Sequence, residues 1–382
     1  MSTPRRALVA SDSHIAKDTR ILYQITWLRE AGWTVDTLGR GPASAEADGA
    51  HYEMPLRPFW QRLLANTLLP RRLRYQAIVR GAIPRELSEA TARYDLTIMN
   101  EVELLPWFAE VESRLLAPGG TRHLDLHEYS LSQRRGLVHE LFFRRYRDWL
   151  AGFIGSPIFT TRSTVSDGIA DLYVETIGIP RPAIVRSCPE FVEQQPSDVD
   201  AGDIRLLHHG GAQAIRSPEL MIDAMEHLDE RFSLHLMLIG SPRLVADLRR
   251  RAEPYGDRVQ FHPPVGVRDV ARAVNPYDLE VIFYPPFTQN LRYALPNKVF
   301  EAVQGRLGLV VGESPDMAGI TRRYDMGVVV EGWTGADLAR ALNAVTADDV
   351  RRFKAAADTA ADDLNVDAEA RMFFAAIGAA GA

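Results

Sequence analysis

The strongest constraint on the fold is a repeated alternation of short apolar runs with amphipathic helices. Residues 7–10 (Ala-Leu-Val-Ala) form the first run, and residues 18–31 follow with apolar side chains at helical spacing before Gly32. Further strands are predicted at 35–38, 96–99 and 123–126, with another beginning over 157–160. Strands that alternate with helices predict an α/β fold with parallel sheets covered by helices on both faces.

The alternation stops and then restarts, which predicts two domains. Residues 187–203 contain Pro189, Pro196 and several acidic residues, as a linker would. Strands are predicted again at 204–208, 234–239, 259–262, 279–284, 307–311 and 327–330. We therefore expect doubly wound, Rossmann-like domains over 1–190 and 191–365, and a C-terminal helix within 366–382 that packs back on the first domain. Ligands bind at the carboxyl ends of parallel strands, so facing domains would share one cleft.

Composition excludes several other classes. The 382 residues carry 50 acidic and 44 basic side chains, a net charge of -6, and 46% are hydrophobic. This is typical of a globular chain and argues against disorder or general nucleic-acid binding. The single Cys188 excludes an intrachain disulfide and a cysteine-based zinc cluster. No apolar run approaches the ~20 residues of a spanning helix or begins a signal peptide, so we expect a cytoplasmic protein.

Residues 290–301 hold the most informative chemistry. Pro296 suits the first turn of a helix, where unpaired amides and the helix dipole attract phosphate, and Lys298 adds a full positive charge. Glu301 lies three residues further along the same face, where a carboxylate could accept hydrogen bonds from a ribose diol. The alternative, an ordinary surface ion pair between Lys298 and Glu301, is equally consistent with the spacing.

A second candidate segment runs from His208 to Arg216. Gly210 and Gly211 directly follow an apolar strand and allow a backbone to approach a ligand closely, and Arg216 could bind a diphosphate in bidentate fashion. The alternative is a tight turn between strand and helix, with the two histidines packed at the strand end. Because adjacent residues of a strand point to opposite faces, His208 and His209 are a poor metal-binding pair.

The predicted first domain offers polar residues at two strand ends. His127 and Glu128 end the strand at 123–126, where they could contact a sugar or phosphate, unless they only precede a helix capped by Ser130 or Ser132. No third ligand stands at a spacing that suits a metal. Asp18 could cap the first helix. Arg20 is unfavourable in a first turn, which suggests that it serves another partner.

Residues 57–85 are basic and amphipathic. They contain seven arginines, interleaved with apolar and aromatic residues, and no acidic residue. Such a stretch could lie on an anionic membrane at the inner face, although a packed helix with a solvated arginine face is favoured. A second basic and aromatic run covers 134–149.

Together these segments resemble the GT-B glycosyltransferases, specifically glycosyltransferase family 4, over nearly the whole chain. Residues 295–302 (Leu-Pro-Asn-Lys-Val-Phe-Glu-Ala) are similar to the family's "LPNK-FE" element, and residues 314–331 to the stretch that follows it. Residues 208–216 resemble the glycine turn with its basic residue, 125–128 the "D-HE" element, and 18–21 the "DPRV" element.

The resemblance implies a retaining, metal-independent hexosyltransferase of the kind that serves polysaccharide biosynthesis. The donor would be a nucleotide sugar, and the acceptor a glycan, a lipid-linked sugar or a natural product; no cofactor is expected. It implies diphosphate binding by Gly210, Gly211, Arg216, Asn297 and Lys298, ribose binding by Glu301, and catalytic roles for His127 and Glu128. Contacts to the donor sugar or the acceptor are expected from Asn290, Tyr293, Asp18 and Arg20.

Two departures from the family pattern keep other readings open. Tyr293 stands where the family often has the first of two glutamates, and the glycine turn has Arg216 but lacks its usual lysine. The alternatives are a nucleotide-sugar 2-epimerase of the same architecture, and a degenerate member that binds a nucleotide without catalysis.

Overall fold

The computed structural model describes residues 5–55, 70–131 and 146–378, and the chain folds as two compact units. Unit 1 comprises Met1–Arg186 together with Ala370–Ala382, and unit 2 comprises Ser187–Glu369. The divisions therefore fall near 186 and 369, close to the predicted boundaries at 190 and 365.

Unit 1 is built on a parallel sheet. Its seven strands are β1 (Arg6–His14), β2 (Thr34–Arg40), β3 (His51–Met54), β4 (Tyr94–Met99), β5 (Leu116–Leu126), β6 (Thr161–Thr164) and β7 (Ala183–Ile184). Their order in the sheet is β3-β2-β1-β4-β5-β6-β7, and every pairing is parallel. Residues 7–10 of β1 are fully buried, because a central strand with both faces covered needs a continuous apolar run.

Helices cover the unit 1 sheet. They are α1 (Thr19–Glu30), α2 (Arg71–Ile78), α3 (Arg85–Glu89), α4 (Leu105–Leu115) and α5 (Asp167–Ile177). Asp18 caps α1 by accepting a hydrogen bond from the amide of Ile21, and Ile21, Ile25 and Leu28 form its buried stripe.

Unit 2 repeats the design. The strands are β8 (Ile204–Gly211), β9 (Phe232–Ile239), β10 (Val259–Phe261), β11 (Leu279–Ile282), β12 (Gly308–Gly312) and β13 (Gly327–Val330). They form one six-stranded sheet in the order β10-β9-β8-β11-β12-β13, again with parallel pairing throughout. Its helices are α6 (Glu219–Ala224), α7 (Pro242–Ala252), α8 (Val270–Val274), α9 (Gln289–Arg292), α10 (Asn297–Gln304), α11 (Pro315–Arg323), α12 (Gly335–Asn343) and α13 (Ala347–Ala361).

The last helix, α14 (Val366–Ile377), starts at the end of unit 2 and finishes in unit 1. Within unit 1 the ring of Phe373 lies 5.2 Å from that of Trp27 and 6.2 Å from that of His123. Every helix in the described ranges is too short or too polar to cross a lipid bilayer.

The sheet order determines where a ligand would bind. In unit 2, β8 lies between β9 and β11, so the chain changes direction across the sheet at β8 and β11. In unit 1 the same change occurs between β1 and β4. Crevices at such switch points, beside the carboxyl strand ends, are the usual ligand sites of doubly wound sheets.

One predicted strand is misplaced. The strand expected to begin over 157–160 begins instead at Thr161. Pro157 has no amide hydrogen to contribute to a ladder, which disfavours a strand start inside the sheet at that point.

Candidate functional site

The end of β8 brings its glycines close to two cations. Gly210 has a φ of +93°, a conformation that disfavours any side chain. A Cβ there would lie 3.7 Å from Nζ of Lys298, and one on Gly211 would lie 3.8 Å from Nη1 of Arg216. Arg216 Nη1 also donates to the Gly211 carbonyl at 3.4 Å. Four residues that the sequence associates with a diphosphate therefore meet at the switch point of unit 2.

Both cations lie beside one aromatic ring, that of Tyr284. The Lys298 Nζ is 5.4 Å from the ring centroid and the Arg216 guanidinium carbon is 5.2 Å from it. Tyr284 follows β11 and is only 1% exposed, so its position is fixed by the core. Cation–π attraction holds each cation in place although the two positive charges repel each other.

Lys298 is a buried charge without a counterion. It is 5% exposed, and no carboxylate of the described residues lies within 4 Å of its ammonium. Lys354, the other buried lysine of unit 2, shows the usual arrangement, with Nζ 3.1 Å from the carboxylate of Asp278. An unpaired buried ammonium is costly, so Lys298 is poised to bind an anion.

His208 orients this lysine. Its Nδ1 donates to the carbonyl of Val281 at 2.6 Å, which leaves Nε2 to accept a hydrogen bond from Lys298 Nζ at 3.3 Å. Burial, and then the charge of Lys298, lower the pKa of His208 well below its ordinary value. The imidazole is therefore neutral and acts as an acceptor.

Helix α10 begins beside these cations. Pro296 occupies the cap position with an extended backbone, and it offers no side-chain acceptor to the first amides of the helix. Asn297, the first helical residue, is exposed. No side chain therefore caps the first amides of α10.

Glu301 does not pair with Lys298. Its Oε2 lies 2.9 Å from Nε2 of His209, whose Nδ1 lies 2.9 Å from Oε2 of Glu280. No contact between Lys298 and Glu301 within 4 Å occurs in the described part of the chain, so the surface-pair alternative is wrong. His208 and His209 contact different residues of α10, Lys298 and Glu301 respectively.

Two other predicted contacts lie on the connection from β11 to α10. Asn290 is within the short helix α9, which Thr288 caps by accepting from the amide of Leu291. Tyr293 directly follows α9 and is half-buried. Both therefore belong to the connection between β11 and α10.

In unit 1, a buried carboxylate organises the corresponding strand end. Asp125 is 1% exposed and accepts hydrogen bonds from both Nε and Nη2 of Arg20 at 2.7 Å, from Gln24 and Ser163 at 2.6 Å each, and from His127 at 3.1 Å. Burial alone would raise the pKa of Asp125, but the charge of Arg20 and the hydrogen bonds from His127 and Arg20 outweigh it and hold that pKa well below the ordinary value.

His127 receives its orientation from this network. Its Nε2 is 3.0 Å from Oδ1 of Asn100 and 3.1 Å from Oδ2 of Asp125, and because both are acceptors, Nε2 carries the hydrogen. The side chain is 23% exposed. Glu128 is exposed, and its carbonyl accepts from the hydroxyl of Tyr173 at 2.7 Å. His127 is thus held by the fold yet open to a ligand.

Arg20 and Asp18 have partners within unit 1. Arg20 is 7% exposed and, besides Asp125, donates through Nη1 to the carbonyl of Val185 at 2.7 Å. These hydrogen bonds to Asp125 and Val185 account for the partner that the sequence suggested for Arg20, so they do not support a direct contact of Arg20 with donor or acceptor. Asp18 caps α1, as the sequence suggested it could, and also accepts a hydrogen bond from the hydroxyl of Ser13 at 3.3 Å.

The described part of the basic stretch is packed. In α2, the Arg74 guanidinium lies 5.1 Å from the ring centroid of Tyr146, and the ring of Tyr75 lies 5.5 Å from that of Trp149. Both α2 residues are buried, as the packed-helix alternative predicts for this part. Residues 56–69 and 132–145, which carry the rest of the two basic runs, lie outside the described residues.

Sequence reasoning missed Tyr284, Glu280 and the role of His209. Glu280 left a signal, because a charged residue inside an otherwise apolar buried strand requires a partner. Within residues 5–55, 70–131 and 146–378, no group of three or more His, Cys, Asp or Glu is arranged to hold a metal ion.

Comparison with known proteins places the fold. No family model matches the sequence, and a search of curated proteins gives no match. Sucrose-phosphate synthase from Thermosynechococcus elongatus has a similar structure, with a TM-score of 0.72 and 14% identity, over 97% of this chain and 100% of that chain.

Two further solved structures agree. "Trehalose-6-phosphate from E. coli bound with UDP-2-fluoro glucose" gives a TM-score of 0.66 at 11% identity, over 97% of this chain and 98% of that chain. WaaG, a glycosyltransferase involved in lipopolysaccharide biosynthesis, gives a TM-score of 0.63 at 14% identity, over 96% of this chain and 99% of that chain. With its two parallel α/β sheets, the chain has the GT-B fold of these glycosyltransferases.

Proposed function

We propose that this protein is a retaining glycosyltransferase, similar to family 4, that transfers a hexose from a nucleotide-sugar donor. The observation that carries the proposal is the buried Lys298, which lacks a carboxylate partner and lies with Arg216 beside the ring of Tyr284. A fold seldom buries an unpaired cation and brings a second one near it unless an anion binds there. The fold it shares with a structure bound to UDP-2-fluoro glucose supports a nucleoside diphosphate as that anion.

The donor site is assigned as follows. The diphosphate lies against Gly210 and Gly211, whose missing side chains leave room for it, between Lys298 and Arg216. The amides at the start of α10, from Asn297 onward, add the positive end of a helix dipole. Glu301, one turn along α10, accepts hydrogen bonds from the ribose hydroxyls.

Catalysis then depends on stabilising the leaving group. As the bond between the anomeric carbon and the diphosphate oxygen breaks, negative charge grows on that oxygen, and Lys298 and Arg216 stabilise it. The acceptor hydroxyl attacks the same face of the sugar and passes its proton to the departing phosphate, so the anomeric configuration is retained. No step requires a protein nucleophile or a metal ion.

His127 is proposed to contact the transferred sugar. Because Nε2 is directed to Asp125 and Asn100, Nδ1 and the backbone carbonyl are the groups that can face a sugar ring and a developing positive charge. Glu128, exposed on the same strand end, would bind the acceptor or the sugar. Asn290 and Tyr293 would contact sugar hydroxyls in place of the family's first glutamate.

The test begins with binding and continues with turnover. Titration calorimetry with UDP, GDP and ADP identifies the nucleotide, and a panel of matching nucleotide sugars with crude acceptor extracts is then followed by release of the diphosphate. Lys298→Ala and Glu301→Ala should each weaken donor use strongly while the fold persists. Arg250→Ala, which removes an exposed charge on α7, is the control and should behave as wild type. Wild-type kinetics in both site variants would refute the donor site.

The products distinguish the alternatives. Sugar transfer, with one diphosphate released per sugar, supports the proposal. An isomerised sugar nucleotide would identify a 2-epimerase, and tight binding without turnover would identify the noncatalytic reading that Tyr293 suggests. The acceptor, a glycan, a lipid-linked sugar or a natural product, follows from the extract that permits transfer.

Location is a separate part of the proposal. We expect a cytoplasmic enzyme that contacts the inner membrane face through residues 57–85, other than the buried Arg74 and Tyr75, because that stretch carries arginines and apolar residues without an acid. Co-sedimentation with anionic vesicles at low salt tests this contact, and equal recovery with neutral vesicles would refute it.

A further inference from the structure

Three ionisable side chains form a continuous hydrogen-bonded row from the sheet of unit 2 to α10. Glu280, fully buried in β11, lies 2.9 Å from Nδ1 of His209, and Glu301 lies 2.9 Å from Nε2 of the same ring. The His209 side chain is 6% exposed and that of Glu301 is 17% exposed. This row of side chains thus ends at Glu301, the carboxylate that we assign to the donor ribose.

The geometry determines the charge of His209. Each ring nitrogen faces a carboxylate oxygen, and an ionised carboxylate only accepts hydrogen bonds. A neutral imidazole donates from one nitrogen alone, so both contacts require the doubly protonated ring. Burial would lower the pKa of His209, but the two carboxylates outweigh it and raise that pKa to about 9.

The other charged groups nearby fit this assignment. Lys298 lies against His208, the neighbour of His209 along β8, and the charge of Arg216 also acts on the His208 ring. These cations favour the neutral state of His208, whereas Glu280 and Glu301 favour the charged state of His209. Adjacent histidines therefore differ in charge, one accepting from Lys298 and the other donating to Glu301.

We propose that His209 is a positioning residue that binds Glu301 and keeps its carboxylate directed away from Lys298, so that the carboxylate is reserved for the ribose diol and the lysine for phosphate. This inference rests on the proposed function. Lys298 and Glu301 are three residues apart on one helix face and would otherwise attract each other. By supplying a different cation for Glu301, His209 lets both act on one ligand. Glu280 balances the positive charge of His209 and orients its ring through the hydrogen bond to Nδ1.

The test compares ribose with deoxyribose. Titration calorimetry gives the dissociation constants of UDP and 2′-deoxy-UDP, or of the GDP or ADP pair if the wild type prefers those bases. Wild type should favour the ribonucleotide by about tenfold or more, as expected for a hydrogen bond to a charged group. His209→Gln should reduce that ratio to within about twofold of one and weaken both ligands, because Glu301 then turns toward Lys298.

A folding defect is controlled in two ways. His209→Gln leaves Glu280 buried without a cation, so the double variant His209→Gln/Glu280→Gln removes both charges and should fold while still losing the ratio. In wild type, the ratio should fall as pH rises through about 9, where His209 loses its proton. Titration of the nucleobase affects both ligands equally and cancels in the ratio.

The outcomes separate the two proposals. If wild type binds none of these diphosphates, the proposed function fails and this inference fails with it. If wild type discriminates but the folded double variant keeps the same ratio, or if the wild-type ratio stays constant between pH 7 and pH 10, the donor site stands and the role of His209 is refuted.

Discussion

Removing the charge of Lys298 should stabilise the nucleotide-free protein while it damages donor binding. The ammonium is 5% exposed and has no carboxylate within 4 Å among the described residues. Desolvating an ion costs several kcal/mol, and the contacts to Tyr284 and His208 return about 1–2 kcal/mol each. Lys298→Met, which fills a similar volume with an uncharged side chain, should therefore stabilise the protein by about 1–3 kcal/mol.

Lys354 provides the matched control in the same unit. It is 1% exposed, but it lies 3.1 Å from Asp278, whose side chain is fully buried. Lys354→Met leaves that carboxylate with Arg205, at 3.5 Å, as its remaining cation, and should cost about 3 kcal/mol, the low end for a broken buried pair. Scanning calorimetry of both variants without nucleotide should give opposite shifts of the unfolding temperature relative to wild type.

Added nucleotide should close or reverse the difference between Lys298→Met and wild type. At a concentration 100 times its dissociation constant, a diphosphate stabilises wild type by about 2.7 kcal/mol, whereas the variant gains little because it binds weakly. If Lys298→Met and Lys354→Met both lower the unfolding temperature without nucleotide, Lys298 is a structural cation and the reasoning from its missing counterion is wrong.

Three more outcomes are expected. Asp125→Asn should destabilise unit 1, because Arg20 loses its charged partner. Since the pKa of Asp125 is depressed, its contribution to the stability of wild type is full above pH ~4 and is lost as pH falls through its folded-state pKa. Acid denaturation of wild type and of the variant checks this. Tyr284→Leu should raise the donor KM and its salt dependence, whereas Tyr284→Phe keeps the ring face and should stay near wild type. Extensive dialysis against EDTA should leave the transfer rate within about twofold; a loss that only added metal restores would contradict the metal-independent step.

Much of the fold and part of the site could be predicted from local sequence. The spacing of apolar residues over 18–31 predicts α1 to within one residue at each end, because helix period and capping are local properties. The resemblance to glycosyltransferases implied that Gly210, Arg216 and Lys298 share one site, and in the structure Gly210 lies beside Lys298 and Gly211 beside Arg216. The partner of Arg20 could not be identified, since Asp125 lies 105 residues away in the sequence.

The amino-acid sequence by itself determined that this chain forms two parallel β-sheets covered by helices, and which residue types stand at the ends of their strands. Only the tertiary structure decided how those residues share charge. His209 meets Glu280 and Glu301 across 71 and 92 residues, while the adjacent His208 accepts from Lys298. A protonation state depends on burial and on charges a few ångströms away, and chain folding alone brings those groups together.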